Sequence, residues 1–552
     1  MTNNNKAITQ LHAIRNRYGK AFAAEKEKLL NGISVNTIKN KPAAASLYEA
    51  LLFIGAYPDN KTVQRGANVL LQKLEERIRS DEKLQYSLYN TGITATSVCA
   101  AFSFEMVKWI RKTRPGAITL NSLEAGDAQV QSILSVVMTK AESEIMQDAN
   151  AAWKGWLKRL KNKEESLLDQ FIAIFDSSDI RPEVKDELWN AIGINVAIEF
   201  TEHCSLPASL VKAYYHRSLI KDPATREPMA KPVPAKLDAT AAQKILDCCR
   251  MILVRKLREL DPVSFTEAGL ISFYQLERGF AIALMGMQPE RRHPLDSYMG
   301  YVVFKNGLPV AYAGSWILFD SARISLNIFT DYRGGESKYI FDQVLQLHAK
   351  VYGLKRFTVD PYQLGKENSD GIDSGAFWIY YRAGFRPLQK LQQELAAAEA
   401  VKIKADKKYR SPAKVLRTLA NSRMQLVMQR TAVNFDAIEL SEAYAAILST
   451  RYKGDRSLAE KNAAKKLAAI LHIKNAEDPE MNFVLKNWAL LLLSNGKALR
   501  NNRALKQTLK KLFVLKASGS EEAYITGLQQ ASLFRKFVEE IISTHPLKSI
   551  SG

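Results

Sequence analysis

The feature that most constrains the fold is a pair of strand-like runs joined by an Asn-Gly turn. Residues 298–304 (YMGYVVF) and 310–319 (VAYAGSWILF) are both rich in aromatic and β-branched side chains, which favour strands. Asn306-Gly307 lies between them, and this dipeptide is typical of tight hairpins because both of its residues tolerate positive φ. The pattern therefore predicts an antiparallel β-hairpin near the middle of the chain.

The segments after the hairpin alternate between strand and helix signals. Residues 322–329 and 356–360 have the composition of further strands, and residues 376–383 that of a short helix. Between the two strands, apolar residues recur at helical spacing over residues 340–351, and Gly353 is placed to end that helix. This alternation predicts a mixed central sheet with flanking helices, which is an α+β or α/β fold.

The rest of the chain divides around this unit, for which we expect boundaries at residues 265–395. Residues 1–220 show helical periodicity and predict a helical N-terminal domain. Four prolines within KDPATREPMAKPVPAK, followed by one helix, make residues 221–264 a predicted Pro-rich linker and connecting helix. Residues 396–552 predict a basic helical C-terminal domain. Both flanking regions are expected to be nearly all helix.

Positive charge is concentrated at the C-terminal end of the chain. The whole sequence has a net charge of +21, and residues 396–552 hold 27 lysines and arginines against 14 aspartates and glutamates, a net of +13. Such a region attracts polyanions, including nucleic acid and acidic lipid, or an anionic protein. A solvated helical surface has the same composition, so the charge alone leaves the partner open.

Cellular setting is constrained by what the sequence lacks. No apolar run approaches the roughly 20 residues that a membrane span requires, and the N-terminus has no apolar segment typical of a signal peptide. The four cysteines are too few for a disulfide scaffold, and without C-x-x-C spacing they do not indicate a zinc site. We therefore expect a cytoplasmic protein without a membrane span and without a bound metal.

The turn between the third strand and its helix has the chemistry of an anion site. Residues 333–337 read Arg-Gly-Gly-Glu-Ser and lie where a strand runs through glycines into a helix. The first turn of a helix presents free backbone N–H groups and the positive end of the helix dipole. Gly334 and Gly335 permit close approach of a ligand to the backbone, and Arg333 adds a charge. By itself this short motif is also typical of an ordinary turn.

Two motifs together resemble the GCN5-related N-acetyltransferase superfamily. In that family a strand ends in a loop of the form [Q/R]-x-x-G-x-[G/A], and a late helix reads A-x-x-x-Y-x-x-x-G-F. Residues 376–385 (AFWIYYRAGF) match the helix motif in full, and residues 327–337 (NIFTDYRGGES) correspond to the strand and loop. Counted from Arg333, the family glycine falls on Glu336, and a carboxylate beside a pyrophosphate is unfavourable unless it points away.

The resemblance implies a fold, a co-substrate and roles for particular residues. It implies that acetyl-CoA or another acyl-CoA lies between two parallel strands that diverge after Phe329 and after Asp360, with Tyr380 on the departing thiolate and Asp360 as the base. The same comparison implies that the co-substrate is held by Ile328, Phe329, Arg333, Gly334, Gly335, Glu336 and Ser337.

Three functions are compatible with this sequence. The first is acyl-CoA-dependent N-acyl transfer, in which a deprotonated amine of an unidentified acceptor attacks the thioester directly. The second is a non-catalytic module with an acetyltransferase-like fold, whose basic helical region binds nucleic acid. The third is transfer from an aminoacyl-tRNA, for which the same basic surface would serve. The sequence favours the first and leaves the acceptor, a small molecule, peptide or protein, open.

Overall fold

A computed structural model describes most of the chain: residues 3–147, 152–160, 165–201, 203–221, 229–406, 408–429 and 435–545. Residues 222–228, which contain Pro223 and Pro228 of the predicted linker, lie outside these ranges. Side chains buried in the described residues form three hydrophobic cores, one of which unites the N-terminal helices with a central sheet.

The N-terminal helices pack directly on the central sheet. Asn40 and Asn60 begin two of them by accepting hydrogen bonds from the amides of Ala43 and Val63, as expected of N-cap residues. The helices are α1 (Asn3–Ile14), α2 (Lys20–Gly32), α3 (Lys41–Ala56), α4 (Lys61–Arg79) and α5 (Glu82–Ser87). Their apolar faces share one core with the sheet, so they form one folding unit with it.

The described residues between 97 and 200 form a second α+β unit, whose core also includes Met251 and Val254. Its three antiparallel strands, in the order β1-β3-β2, are β1 (Ser97–Ala101), β2 (Ile118–Leu123) and β3 (Ile194–Glu199). Its helices are α6 (Phe104–Thr113), α7 (Asp127–Val137), α8 (Lys140–Gln147), α9 (Trp153–Leu160), α10 (Leu167–Ser177) and α11 (Pro182–Ile192).

The expectation that residues 1–220 are nearly all helix is therefore wrong. The strands of this small sheet are short, and β3 is separated from both of its partners by most of the unit's helices. Local periodicity is a weak signal for such strands. Buried Ile194, Val196 and Ile198 nevertheless alternate at the spacing of two that is typical of a strand, and this signal was overlooked.

The central sheet is mixed, as predicted, and is built mainly from residues 271–387. Its strands are β4 (Ile271–Gln275), β5 (Phe280–Met285), β6 (Ser297–Lys305), β7 (Leu308–Leu318), β8 (Ser321–Ile324), β9 (Asn327–Ile328), β10 (Arg356–Val359), β11 (Arg386–Pro387) and β12 (Met424–Val427). They follow the order β11-β12-β10-β8-β7-β6-β5-β4, and β9 pairs with β7. The pair β8 and β10 is parallel, and the other pairs are antiparallel.

Helices surround this sheet and join its strands. They are α12 (Ala239–Arg255), α13 (Asp261–Ser264), α14 (Ser337–Tyr352), α15 (Pro361–Leu364), α16 (Ser369–Asp373), α17 (Ala376–Arg382), α18 (Lys390–Ala405) and α19 (Ala413–Leu419). Strand β12 comes from the region that was expected to be helical, and it pairs with β10 in the register Phe357 to Leu426. The sheet unit therefore extends past residue 395.

The described residues after β12, 435–545, are helical and have a core of their own, to which Leu318 and Phe319 of the sheet contribute. These helices are α20 (Ala437–Tyr452), α21 (Arg456–Glu460), α22 (Ala463–Leu471), α23 (Pro479–Leu493), α24 (Gly496–Asn501), α25 (Arg503–Ser518), α26 (Glu521–Gln530) and α27 (Ser532–Thr544). Among the described helices, none has both the length and the apolar character that crossing a membrane requires.

The predicted hairpin joins β6 to β7, and Asn306 and Gly307 both have positive φ, at 47° and 84°. The Asn306 side chain also connects three parts of the chain. Its Nδ2 donates to the carbonyl oxygens of Ala56 and Tyr214 at 2.9 and 3.0 Å, and its Oδ1 accepts from the Tyr214 amide at 2.8 Å. One turn residue thus attaches the end of α3 and the segment around Tyr214 to the sheet.

We expect Asn306→Gly to lower the free energy of unfolding by about 1–3 kcal/mol, because part-buried backbone groups lose their partners while the turn conformation is kept. Asn306→Asp retains the acceptor oxygen, so its free energy of unfolding should lie between those of the wild type and the glycine variant. Calorimetric unfolding of the three proteins measures the difference. A glycine variant as stable as the wild type would show that the side-chain hydrogen bonds contribute nothing.

Candidate active site

A cavity of about 420 Å³ lies where the two parallel strands separate. Strands β8 and β10 pair only through residues 321–323 and 356–358. The chain then turns away at Ser325 and Leu326, and β9 pairs with β7 instead, with Tyr312 opposite Asn327. The predicted strand over residues 322–329 is therefore two strands, and the divergence begins before Phe329. The cavity occupies the resulting gap, beside α16 and α17.

Tyr380 lines this cavity. It lies on α17, is 3% exposed, and its hydroxyl accepts a hydrogen bond from the Leu326 amide at 3.3 Å. Phe341 and Phe385 pack edge-on against its ring and fix its orientation. Burial raises the pKa of Tyr380 well above its ordinary value, so the hydroxyl keeps its proton at neutral pH. The cavity therefore contains an oriented, neutral proton donor.

Several of the predicted ligand-binding residues reach the cavity. Ile328, Phe329, Arg333 and Ser337 line it, in the stretch that leads from β9 into α14. A 3-10 turn at Thr330–Tyr332 reverses the chain there, and Gly334 has a φ of 85°, a conformation that favours glycine. The first turn of α14 therefore begins beside the cavity.

Two cations at the cavity were missed by the sequence analysis. Lys256 and Arg258 follow the end of α12 and line the cavity together with Arg333. Lys256 pairs with the carboxylate of Asp331 at 2.5 Å, and Arg258 hydrogen-bonds the hydroxyl of Tyr312. Since α12 is far from the glycine loop in the sequence, no local pattern connects these residues to it. Since the charge of Lys256 is neutralised by Asp331, Arg258 and Arg333 are the residues that add positive charge at the cavity.

Gly334, Gly335 and Glu336 do not line the cavity. The carbonyl oxygens of both glycines accept hydrogen bonds from the Lys221 ammonium group, at 3.0 Å for Gly335. A Cβ on Gly335 would lie 2.9 Å from the Tyr57 hydroxyl, so only glycine fits against the end of α3. Two segments that are distant in the sequence, around Tyr57 and Lys221, thus contact the loop and hold it in place.

Glu336 points away from the cavity and is fully buried. Its carboxylate accepts hydrogen bonds from the Arg278 guanidinium group and, at 2.9 Å, from the Ile220 amide. The Lys305 ammonium nitrogen lies 3.4 Å from the same carboxylate. The residue that departs from the family motif is therefore an internal anchor, and its negative charge is neutralised on the side opposite the cavity.

The groups around Glu336 have strongly shifted ionisation. Burial, with a further contribution from Arg278, lowers the pKa of Lys305 to about 7, although Glu336 opposes this shift. Burial and the charges of Lys305 and Arg278 lower the pKa of His216 to about 3, so its ring is neutral at physiological pH. At pH 7 the negative charge of Glu336 is therefore neutralised mainly by Arg278, because Lys305 is close to its pKa and carries a proton only part of the time.

Asp360 lies outside the cavity lining. Its carboxylate forms ion pairs with Arg323 and Arg423, at 3.3 Å from each Nε. Burial raises the pKa of Asp360, and the two arginines oppose this shift. The structure brings Tyr380 and the glycine loop together and does not bring Asp360 to them. Among the described residues that line the cavity, Asp370 is the one carboxylate.

A second and larger cavity, about 730 Å³, lies among α20 to α23. None of the residues singled out from the two motifs lines it, and its lysines, glutamates and asparagines do not converge on one type of ligand. The smaller cavity is the stronger candidate because an oriented proton donor, a helix N-terminus and basic side chains converge on it. Within the described ranges, no three His, Cys, Asp or Glu side chains are grouped as metal ligands.

Comparisons of the chain with models of protein families, with curated proteins and with solved structures found no match. The resemblance to acetyltransferases therefore depends on the two sequence motifs and on the geometry described above.

Lys305→Met tests the ionisation of the buried cluster. Between pH 7 and its ordinary value near 10.5, Lys305 of the unfolded chain holds a proton that the folded chain has released, so the free energy of unfolding rises with pH in this window. The unfolding temperature of the variant should rise less between pH of about 7 and 9.5 than that of the wild type or of the exposed control Lys61→Met. Equal pH dependence in all three proteins would contradict the assignment.

Proposed function

We propose that the chain is an acyl-CoA-dependent N-acyltransferase that binds the thioester end of its co-substrate in the cavity between β9 and α17. The observation that carries this proposal is the buried hydroxyl of Tyr380, a neutral group that lines the cavity where two parallel strands separate. Such a donor suits a departing thiolate, on which negative charge develops only as the carbon–sulfur bond breaks.

The surroundings of the cavity suit the anionic part of acyl-CoA. Its volume lies within the range of small-molecule sites and accommodates the acyl and thioester end of the molecule, while the nucleotide end extends over the rim. Arg333, Arg258 and Ser337, the first residue of α14, line the same cavity. Because Glu336 is turned inward, no carboxylate of the loop opposes a pyrophosphate there.

The reaction balances with groups that belong to this chain and its two substrates. A neutral amine of the acceptor attacks the thioester carbon, forming a carbon–nitrogen bond. The carbon–sulfur bond then breaks while the Tyr380 hydroxyl donates a hydrogen bond to the departing thiolate. The amine must lose a proton in the same process, and Asp370 is the carboxylate placed to accept it, directly or through water. Transfer of this proton through solvent to the thiolate completes the cycle.

Arg333→Ala and Tyr380→Phe should affect different quantities. Loss of Arg333 removes charge at the rim and should weaken acetyl-CoA binding by about 1–3 kcal/mol, as for a charged hydrogen bond. Loss of the Tyr380 hydroxyl should lower turnover and leave acetyl-CoA affinity nearly unchanged, since this group acts on the transition state. Isothermal titration measures affinity, and thiol release during slow hydrolysis of acetyl-CoA measures turnover.

Two results would contradict this scheme at different levels. A wild-type chain without affinity for acetyl-CoA at millimolar concentration would refute the enzyme, and the non-catalytic module would then be the better account. Normal thiol release by a folded Tyr380→Phe variant would refute the role of the phenol alone.

The two candidate bases are separated by a matched pair of substitutions. Asp370→Asn should lower thiol release by about 10²-fold or more, the range expected for general base catalysis. Asp360→Asn removes the same charge from a carboxylate that pairs with Arg323 and Arg423, so it should affect thermal stability more than turnover. A larger loss of turnover in Asp360→Asn than in Asp370→Asn would instead identify Asp360 as the base.

A further inference from the structure

The C-terminal helices carry a long stretch of sequence without acidic residues. Residues 481–520 contain eight lysines and arginines and no aspartate or glutamate. Two of these cations are on α24 and five on α25. Lys516 of α25 is buried, and we call the other six the basic face. It consists of Lys497, Arg500, Arg503, Lys506, Lys510 and Lys511.

The side chains of the basic face are directed outward and are not neutralised within the described part of the chain. Five of the six are exposed, and Lys506 is half-buried. None has a carboxylate of a described residue within 4 Å, whereas exposed cations elsewhere pair with neighbours on their own helix, as Lys390 does with Glu394 and Arg456 with Glu460. Among the described residues, the one side-chain hydrogen bond of this group is donated by Lys510 to the His472 carbonyl oxygen, at 2.7 Å.

The spacing of these cations suits a repeating anion. Arg503, Lys506 and Lys510 follow one another at three and four residues along α25, so they lie on one side of the helix. At 1.5 Å per residue they span about 10 Å. A nucleic-acid duplex presents about one phosphate charge per 1.7 Å of its axis, so a surface of this length faces several phosphates at once.

We propose that the basic face binds the phosphate backbone of a nucleic-acid duplex without reading its sequence. Single strands are bound by stacking of bases on exposed aromatic rings, and the one aromatic side chain of α24 and α25, Phe513, is buried. An anionic membrane surface normally takes up the apolar side of a basic helix. Leu505, Leu509 and Leu512 of α25 are at most 2% exposed and fill the core, so that side is not available.

The test is the salt dependence of duplex binding by the full-length chain. Affinity for a DNA duplex of about two helical turns should fall steeply with salt, because each neutralised phosphate contributes about 0.9 to the slope of log K against log salt. Lys506→Gln, Lys510→Gln and Lys511→Gln together should reduce this slope by about 2–3 and weaken binding at low salt by at least tenfold. The triple variant Lys61→Gln, Lys83→Gln and Lys112→Gln removes the same charge from exposed lysines elsewhere and should bind like the wild type.

The proposal is independent of the acyltransferase assignment, and each other outcome overturns it. Equal losses in the two triple variants would mean that net charge, and not this face, attracts the duplex. Binding to vesicles that contain phosphatidylserine, without binding to the duplex, would assign the face to a membrane. Tighter binding to a single strand than to the duplex would contradict recognition of the duplex backbone. Circular dichroism of both variants checks that they are folded.

Discussion

The buried carboxylate of Glu336 is the interaction on which the candidate site depends. It lies at the junction of the glycine loop and α14, and it holds together Arg278 between β4 and β5, Lys305 at the end of β6 and the amide of Ile220. A charge at such depth is tolerated only when it is paired and hydrogen-bonded, and loss of one partner of such a pair typically costs about 3–5 kcal/mol. The loop is therefore fixed by an ion cluster that no ligand needs to form.

This anchoring makes the N-terminal helices part of the same unit as the candidate site. Tyr57 at the end of α3 packs against Gly335, Asn306 binds the Ala56 carbonyl group, and Lys221 binds the carbonyl groups of the loop. The apolar side chains of α1 to α5 complete the core of the sheet. Residues 265–395 alone would expose these surfaces, so the sheet is not a module that folds independently of the first hundred residues.

Features encoded by local chemistry could be predicted from the sequence. The hairpin at Asn306-Gly307 follows from the φ preferences of two residues, and the helix after the glycine loop follows from its apolar spacing. Features that depend on distant partners could not be predicted. Lys256 and Arg258 line the cavity although they follow α12, far from the glycine loop in the sequence. Strand β12 joins the sheet from beyond residue 395. Asp360 forms ion pairs with Arg323 and Arg423 instead of lining the cavity. The orientation of Glu336 belongs to the same class, because Arg278 comes from the turn between β4 and β5 and Lys305 from the end of β6.

The central claim is that the cavity at the divergence of β8 and β10 holds the thioester end of an acyl-CoA, and a crystal structure with bound acetyl-CoA tests it most directly. We predict that the thioester sulfur lies within hydrogen-bonding distance of the Tyr380 hydroxyl and that the pyrophosphate faces Arg333 and the first turn of α14. The Glu336 cluster should be unchanged. Acetyl-CoA bound in the larger cavity among the C-terminal helices, or its pyrophosphate distant from α14, would contradict the account.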